Sequence, residues 1–268
     1  MTSTLRLAIN GASGRMGHEL QQRVRADRRF DLVHAVVAPG SASDGVPLPG
    51  TTLRYAHGWQ QAPELDVVVD FSGPAGLAAA LDHCLDKQVA LVTGTTGLDA
   101  ALDGRLAEAA RHIPLLRAAN FSLGVAVLTR LLREAAAALR DWDLEIVEAH
   151  HGRKEDAPSG TALALGEAAA AARGGTLAEH AVYAREGRPG PRRPGEIGFA
   201  VVRGGDIVGE HLALLIGQGE RVELAHRASD RSIFARGALE AAGWLAGRPA
   251  GAYDLEAMLA DRAAAGRG

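Results

Sequence analysis

A strand that runs into a glycine-rich turn and then a helix leaves a chain few folds to adopt. Leu5–Asn10 reads as a short apolar strand, Gly11-Ala12-Ser13-Gly14-Arg15-Met16-Gly17 follows it, and Arg15–Ala26 has helical apolar spacing. In that order Gly11 permits a tight turn, Gly14 lets backbone approach a pyrophosphate, and Gly17 allows close helix packing. The helix amino terminus then directs N–H groups at phosphate. The spacing is G-x-x-G-x-x-G, not G-x-G-x-x-G, so context decides between a nucleotide site and a merely structural turn.

The context is an alternation of strands and helices. Further strands are predicted at 32–38, 66–71, Ala90–Thr93 and 114–118, with helices at 76–87 and 98–111. Short apolar runs separated by helical stretches favour a parallel sheet with crossover helices, hence an α/β fold: a Rossmann-type, doubly wound parallel sheet. Gly94-Thr95-Thr96-Gly97 and Asn120-Phe121-Ser122 each follow a predicted strand, which places them at the carboxyl edge where ligands bind in such sheets; they could equally be plain strand-to-helix turns. An acidic residue for a ribose hydroxyl is expected near the end of the second strand, but Val36, Val37 and Ala38 stand there. No arginine follows before Arg54, and Arg15, Ser41 and Ser43 are the nearest groups for a phosphate. Residues 39–50, rich in Gly, Pro and Ser, read as a loop beside this point. The cofactor is therefore expected to be NADPH or NADH, with the choice open.

After residue 121 the pattern changes. A helix at 125–140, a strand at 144–149, a polar loop at 150–158 and a helix at 159–173 precede a Gly, Pro and Arg rich loop at 187–195. Residues 197–227 then read as strands broken at Gly204-Gly205-Asp206 and Gly217-Gln218-Gly219. This predicts a second α+β domain with a mixed sheet and helices on one side. Two closing helices fall at 232–246 and 255–262.

The densest chemistry is His150-His151-Gly152-Arg153-Lys154, just before Asp156-Ala157-Pro158-Ser159-Gly160-Thr161. Four cationic or protonatable groups suit an anionic substrate. Ser159 is a plausible N-cap, and the N–H groups of Gly160 and Thr161 add an anion-binding helix end. The bland alternative is a solvated charged loop. Zinc is disfavoured, because adjacent histidines lack metal-ligand spacing and no nearby cysteine completes a set.

A net charge of −3 over 268 residues offers no basic field for nucleic acid. No apolar run approaches the roughly 18 residues that span a bilayer, and residues 1–5 carry no leader pattern, so no membrane partner and a cytoplasmic location are expected. The single cysteine, Cys84, lies in the 76–87 helix and reads as a buried thiol, not a nucleophile.

The run Glu148-Ala149-His150-His151-Gly152-Arg153-Lys154-Glu155-Asp156-Ala157-Pro158-Ser159-Gly160-Thr161-Ala162 resembles the signature of the dihydrodipicolinate reductases, also called 4-hydroxy-tetrahydrodipicolinate reductases. Segments 11–17, 94–97, 118–122, 181–187 and 204–211 extend the resemblance over nearly the whole chain. It implies NADPH- or NADH-dependent reduction of a cyclic unsaturated dicarboxylate to tetrahydrodipicolinate with loss of water, in the diaminopimelate route to lysine. It further implies His150 as the acid–base residue, Lys154 as a second proton donor, and substrate carboxylates held by His151, Lys154, Ser159, Gly160 and Thr161. The cofactor would be held by Gly11, Ala12, Ser13, Gly14, Arg15 and Met16, by Gly94, Thr95 and Thr96, and by Ala118, Ala119, Asn120 and Phe121. No metal is implied. Family members are usually homotetramers built through the second domain's sheet, and their last helices return to the first domain. The expected domains are thus 1–121 plus 231–268, and 122–230. Two departures concern cofactor preference: the missing acid or arginine after the second strand, and Asp70-Phe71-Ser72-Gly73-Pro74, where a basic residue is common before the proline. Other readings are a dehydrogenase of an amino acid or sugar, and a non-catalytic nicotinamide-nucleotide sensor.

Overall fold

Short strands rich in buried Val, Leu, Ile and Ala, alternating with one-faced helices, have a single economical solution: helices laid on both faces of a parallel sheet. The computed structural model describes residues 4–266. It divides into two compact units, one built from residues up to Leu123 together with those from Ser232 onward, the other Gly124–Arg231.

The first unit begins β1 (Leu5–Asn10), α1 (Arg15–Ala26), β2 (Phe30–Val36), β3 (Tyr55–Ala56), β4 (Val67–Asp70), α2 (Pro74–Lys87), β5 (Ala90–Thr93), α3 (Ala100–Ala109) and β6 (Pro114–Arg117). The second unit contains most of α4 (Leu123–Ala138), then β7 (Asp143–His150), α5 (Gly160–Arg173), α6 (Leu177–His180), β8 (Ala181–Val182), β9 (Ile197–Arg203), β10 (Gly209–Ile216) and β11 (Arg221–Ala228). The chain then returns to the first unit with α7 (Ser232–Leu245), β12 (Gly251–Tyr253) and α8 (Leu255–Ala265).

In the first unit seven strands lie in the order β12-β6-β5-β4-β1-β2-β3, every pair parallel. Reading β3-β2-β1-β4-β5-β6 gives the Rossmann order, whose reversal beside β1 opens the ligand crevice. Helices α2 and α3 pack one face: Leu77, Leu81, Cys84, Leu102 and Leu106 form a cluster with Ala8, Val68 and Leu91. Helix α1 buries Gly17, Leu20, Gln21 and Val24, spaced along one stripe, and packs with α7 on the other face. Two edge strands, β3 and β12, escaped the sequence reading because two or three residues carry no measurable period.

The second sheet has the order β11-β10-β7-β9-β8; β7–β9 and β8–β9 are parallel, while β10 is antiparallel to both β7 and β11. One face, through Leu144, Ile146, Ile197, Phe199, Ala213 and Leu215, packs on Leu128, Leu132 and Ala136 of α4 and on Ala162, Leu165 and Ala169 of α5. Strand β7 runs one residue further than its sequence suggests, so His150 is the strand's last residue and not the first of the loop. Among the described residues no helix is long and apolar enough to cross a membrane.

Candidate active site

The parallel register of the first sheet aligns Asn10 with Asp70, Asp70 with Thr93 and Thr93 with Arg117, so the turns leaving β1, β4, β5 and β6 share one edge. That edge brings together Gly11–Met16, Gly94–Thr96 and Ala118–Phe121. Gly11 has φ +79°, and a Cβ there would lie 2.5 Å from the Phe71 carbonyl oxygen. A Cβ on Gly17 would collide with the carbonyl oxygens of Gly11 and Ala12, so glycine sets the closeness of α1 to the turn. Gly14 is the N-cap of α1 and supplies no side-chain cap, and the first turn carries no acid. The amino-terminal N–H groups and dipole of α1 therefore face the turn without a protein anion, as a pyrophosphate requires.

A buried polar centre, not foreseen from the sequence, braces this edge. Asp70, fully buried at the end of β4, accepts hydrogen bonds at Oδ1 from Asn10 Nδ2 (2.8 Å) and Ser72 Oγ (2.5 Å), and at Oδ2 from Thr93 Oγ1 and Thr95 Oγ1 (both 2.7 Å). Thr95 is thus turned inward, whereas Thr96 is exposed. The Phe71 ring packs edge-on against Phe121 at 5.3 Å between centroids. Beyond β2, Val37 is buried and donates its N–H to Ala56, so the first exposed side chain there is that of Ala38.

In the second unit, β7 alternates strictly: Leu144, Ile146, Glu148 and His150 all point to the helix-packed face. The last two place ionisable groups where the pattern would otherwise set apolar ones. Glu148 is 1% exposed. Its Oε1 accepts from Ser159 N–H (2.9 Å) and Arg203 Nη2 (2.8 Å), and its Oε2 from Arg203 Nη1 (2.8 Å) and His150 Nδ1 (2.6 Å). Arg203 reaches it because β9 lies parallel to β7 with Arg203 beside His150. Burial alone would raise the Glu148 carboxyl above its usual range; the Arg203 guanidinium, His150 and the Ser159 N–H outweigh it and hold the group below.

Helix α5 starts at Gly160 under the N-cap Ser159, whose Oγ accepts from Ala162 N–H (3.2 Å) and shares a hydrogen bond with His211 Nε2 (3.2 Å). The Ser159 hydroxyl is thereby engaged within the protein, and the N–H groups of Gly160 and Thr161 head the first turn. His211 lies edge-on to His150 at 5.2 Å. Burial, then the neighbouring His150, pushes it down to about 4. In the loop, Lys154 Nζ donates to both oxygens of Asp156 (2.7 and 2.8 Å), and that hydrogen bond lowers the Asp156 carboxyl. His151 Nε2 accepts from Arg231 Nη2 (3.1 Å); desolvation and then the Arg231 charge lower its basicity.

The second unit thus gathers His150, His151, Lys154, Ser159, Gly160 and Thr161 around one helix terminus. Four residues to which the sequence reading gave no role join them: Glu148, Arg203, His211 and Arg231. Glu148 was within reach, since continuing the alternation of Leu144 and Ile146 turns it inward. Arg203, His211 and Arg231 were not, because strand register across 50 to 80 residues leaves no local trace.

Residues 5–121 match the family described as dihydrodipicolinate reductase, N-terminus, and residues 124–259 that described as dihydrodipicolinate reductase, C-terminus. The chain is 45% identical to the 4-hydroxy-tetrahydrodipicolinate reductase of Acinetobacter baumannii over 273 residues, covering 97% of both chains. It is 47% identical to the protein of that name from Cereibacter sphaeroides, covering 94% of this chain and 97% of the other. Among solved structures, a dipicolinate-bound dihydrodipicolinate reductase from Paenisporosarcina sp. TG-14 shares the fold, with a TM-score of 0.78 at 22% identity over 94% of this chain and 98% of that one.

Proposed function

The chain belongs to the dihydrodipicolinate reductase family, and on that premise we propose that it reduces 4-hydroxy-tetrahydrodipicolinate to tetrahydrodipicolinate, using NADPH or NADH and releasing water on the diaminopimelate route to lysine. The observation that carries the reading is the buried Glu148–His150 pair at the capped terminus of α5, in a chain whose other unit presents an uncapped dinucleotide turn. When bound, the nicotinamide nucleotide supplies a hydride. Gly11–Met16 and the α1 terminus hold its pyrophosphate, and Gly94–Thr96 with Ala118–Phe121 complete the edge on which it lies.

The rest belongs to the second unit. The α5 terminus at Gly160 and Thr161, set by Ser159, holds one substrate carboxylate, and the cationic His151 and Lys154 side of the loop holds the other. Expulsion of the hydroxyl as water requires a proton; His150 delivers it, with Lys154 as second donor. Asp156 keeps Lys154 oriented until a carboxylate replaces it.

The same face of the second sheet that lacks helices carries Val147, Ala149, Ala200, Val202, Leu212 and Leu214. That surface supports assembly as a homotetramer through the sheet. A reductase drawing on the cell's reduced nicotinamide pool works in the cytoplasm.

The test is oxidation of NADPH and NADH, followed side by side, by purified protein given pyruvate, aspartate semialdehyde and a coupling synthase. Turnover with either nucleotide is expected. Nucleotide binding without turnover would reject the reductase and leave the sensor reading.

A further inference from the structure

Two surroundings fix the His150 ring. Its Nδ1 lies 2.6 Å from Glu148 Oε2, and an ionised carboxylate can only accept, so Nδ1 carries the proton in the neutral ring. On the other side Gly209 opens β10: a Cβ there would stand 3.0 Å from His150 Nε2, so the strand makes room for that nitrogen. Free histidine in water favours the opposite tautomer, with the proton on Nε2. The protein therefore imposes one, and the imposing group is Glu148.

Glu148 also contacts more than His150. Its Oε1 takes the Ser159 N–H, the residue that caps α5, and Arg203 spans both oxygens in a fork. The same carboxylate thus fixes the imidazole on β7 and the start of the helix that grips the substrate. We propose that Glu148 is a positioning residue for the reduction: it holds His150 as the Nδ1–H tautomer with Nε2 turned to exchange protons, and locks that nitrogen to the α5 terminus. This rests on His150 being the proton donor. Arg203 forks both oxygens and favours the ionised carboxylate, which can then accept from the imidazole. The other ionisable groups near the ring are His211 on β10, His226 next to it on β11, and His151 and Lys154 in the loop.

The test is a pair of variants read in two ways. Glu148→Gln keeps an oxygen for Ser159 N–H but puts an amide, a donor, against Nδ1. Long-range nitrogen–proton NMR of the imidazoles should show His150 as Nδ1–H in the unaltered protein and as Nε2–H in the variant. Turnover should fall by about 10²- to 10⁴-fold in kcat, with KM for the dicarboxylate held within about threefold; the upper figure is that for a catalytic histidine that loses its orienting carboxylate. The alkaline limb of the kcat/KM profile should also move, because the ring has lost its anionic partner. Should Glu148→Gln fold poorly with Arg203 left unpaired, Glu148→Gln combined with Arg203→Met removes both charges and carries the same readouts. An Nε2–H tautomer in the unaltered protein, or an unchanged tautomer and pH limb in the variants, would overturn the proposal. The tautomer is read without turnover, so failure of the reductase reading and failure of the Glu148 role give different results.

Discussion

Proton transfer in this chain comes down to a few side chains on one strand face. His150 is 9% exposed and Lys154 is held by Asp156, so the buried ring is the better organised donor and the lysine the more adaptable one. Replacing His150 by Gln should lower kcat by ~10² to 10⁴-fold, while the affinity for reduced nucleotide, titrated by fluorescence, stays unchanged because the dinucleotide turn lies in the other unit. His211 makes a separate prediction for stability. Its basicity falls from the ordinary value of 6.5 to about 4 on folding, so between those pH values the unfolded chain binds more protons. The neutral-pH stability is accordingly full above pH 6.5 and falls by up to ~3 kcal/mol as pH drops towards 4. Denaturant midpoints measured at several pH values should show this loss, and His211→Gln should flatten it. An acid dependence identical in the two proteins would assign the sensitivity elsewhere.

The ends of strands decide both sites, and strand ends were the hardest feature to see in advance. The order of strands and helices from Leu5 to Arg117 was readable because each run is apolar and punctuated, and the glycine turn needed no structure to be found. The sequence places His150 in the loop because a polar side chain after Ala149 interrupts hydrophobicity even though the strand's alternation continues through it. Asp70 carries no local signal of its role for a related reason: a lone acid ending an apolar strand looks like a turn residue, whereas its four side-chain donors come from Asn10, Ser72, Thr93 and Thr95 on three strand ends. Asp70→Ala should leave those buried donors unmatched. The expected cost is ~2–4 kcal/mol in denaturant unfolding, together with weaker nucleotide binding as the 72 and 95 turns loosen. Ala38 is the first exposed side chain beyond β2, where an acid would meet a ribose hydroxyl in this architecture. Ala38→Asp should shift the NADPH to NADH ratio of kcat/KM towards NADH by about tenfold; an unchanged ratio would place discrimination at another residue.

Each unit has its own apolar core, one on the α2–α3 face of the parallel sheet and one beneath α4 and α5. The second unit buries only one side of its sheet, and this asymmetry makes an assembly prediction. On the uncovered side the register lines up Leu212 with Val147 and Ala200, and Ala149 with Val202, while Val202 is 47% exposed. Arg221, Glu223, Arg227 and Glu210 border this patch on β10 and β11 with ion pairs. An apolar centre inside a charged rim is the usual anatomy of an interface. Four strands about 4.8 Å apart and seven residues of about 3.3 Å give a face of roughly 450 Å², or about 900 Å² when two copies meet. That is below the roughly 1,200 Å² at which stable pairings begin, so one charge at the centre should suffice to undo it. Leu212 lies on this face between Val147 and Ala225 and makes no contribution to the helix-packed core. Leu212→Arg should therefore leave the circular dichroism spectrum intact while light scattering coupled to gel filtration shows the proposed tetramer reduced to smaller species, because a guanidinium trapped between two apolar sheets costs several kcal/mol. A variant that still elutes as a tetramer would mean that the copies meet through a different surface.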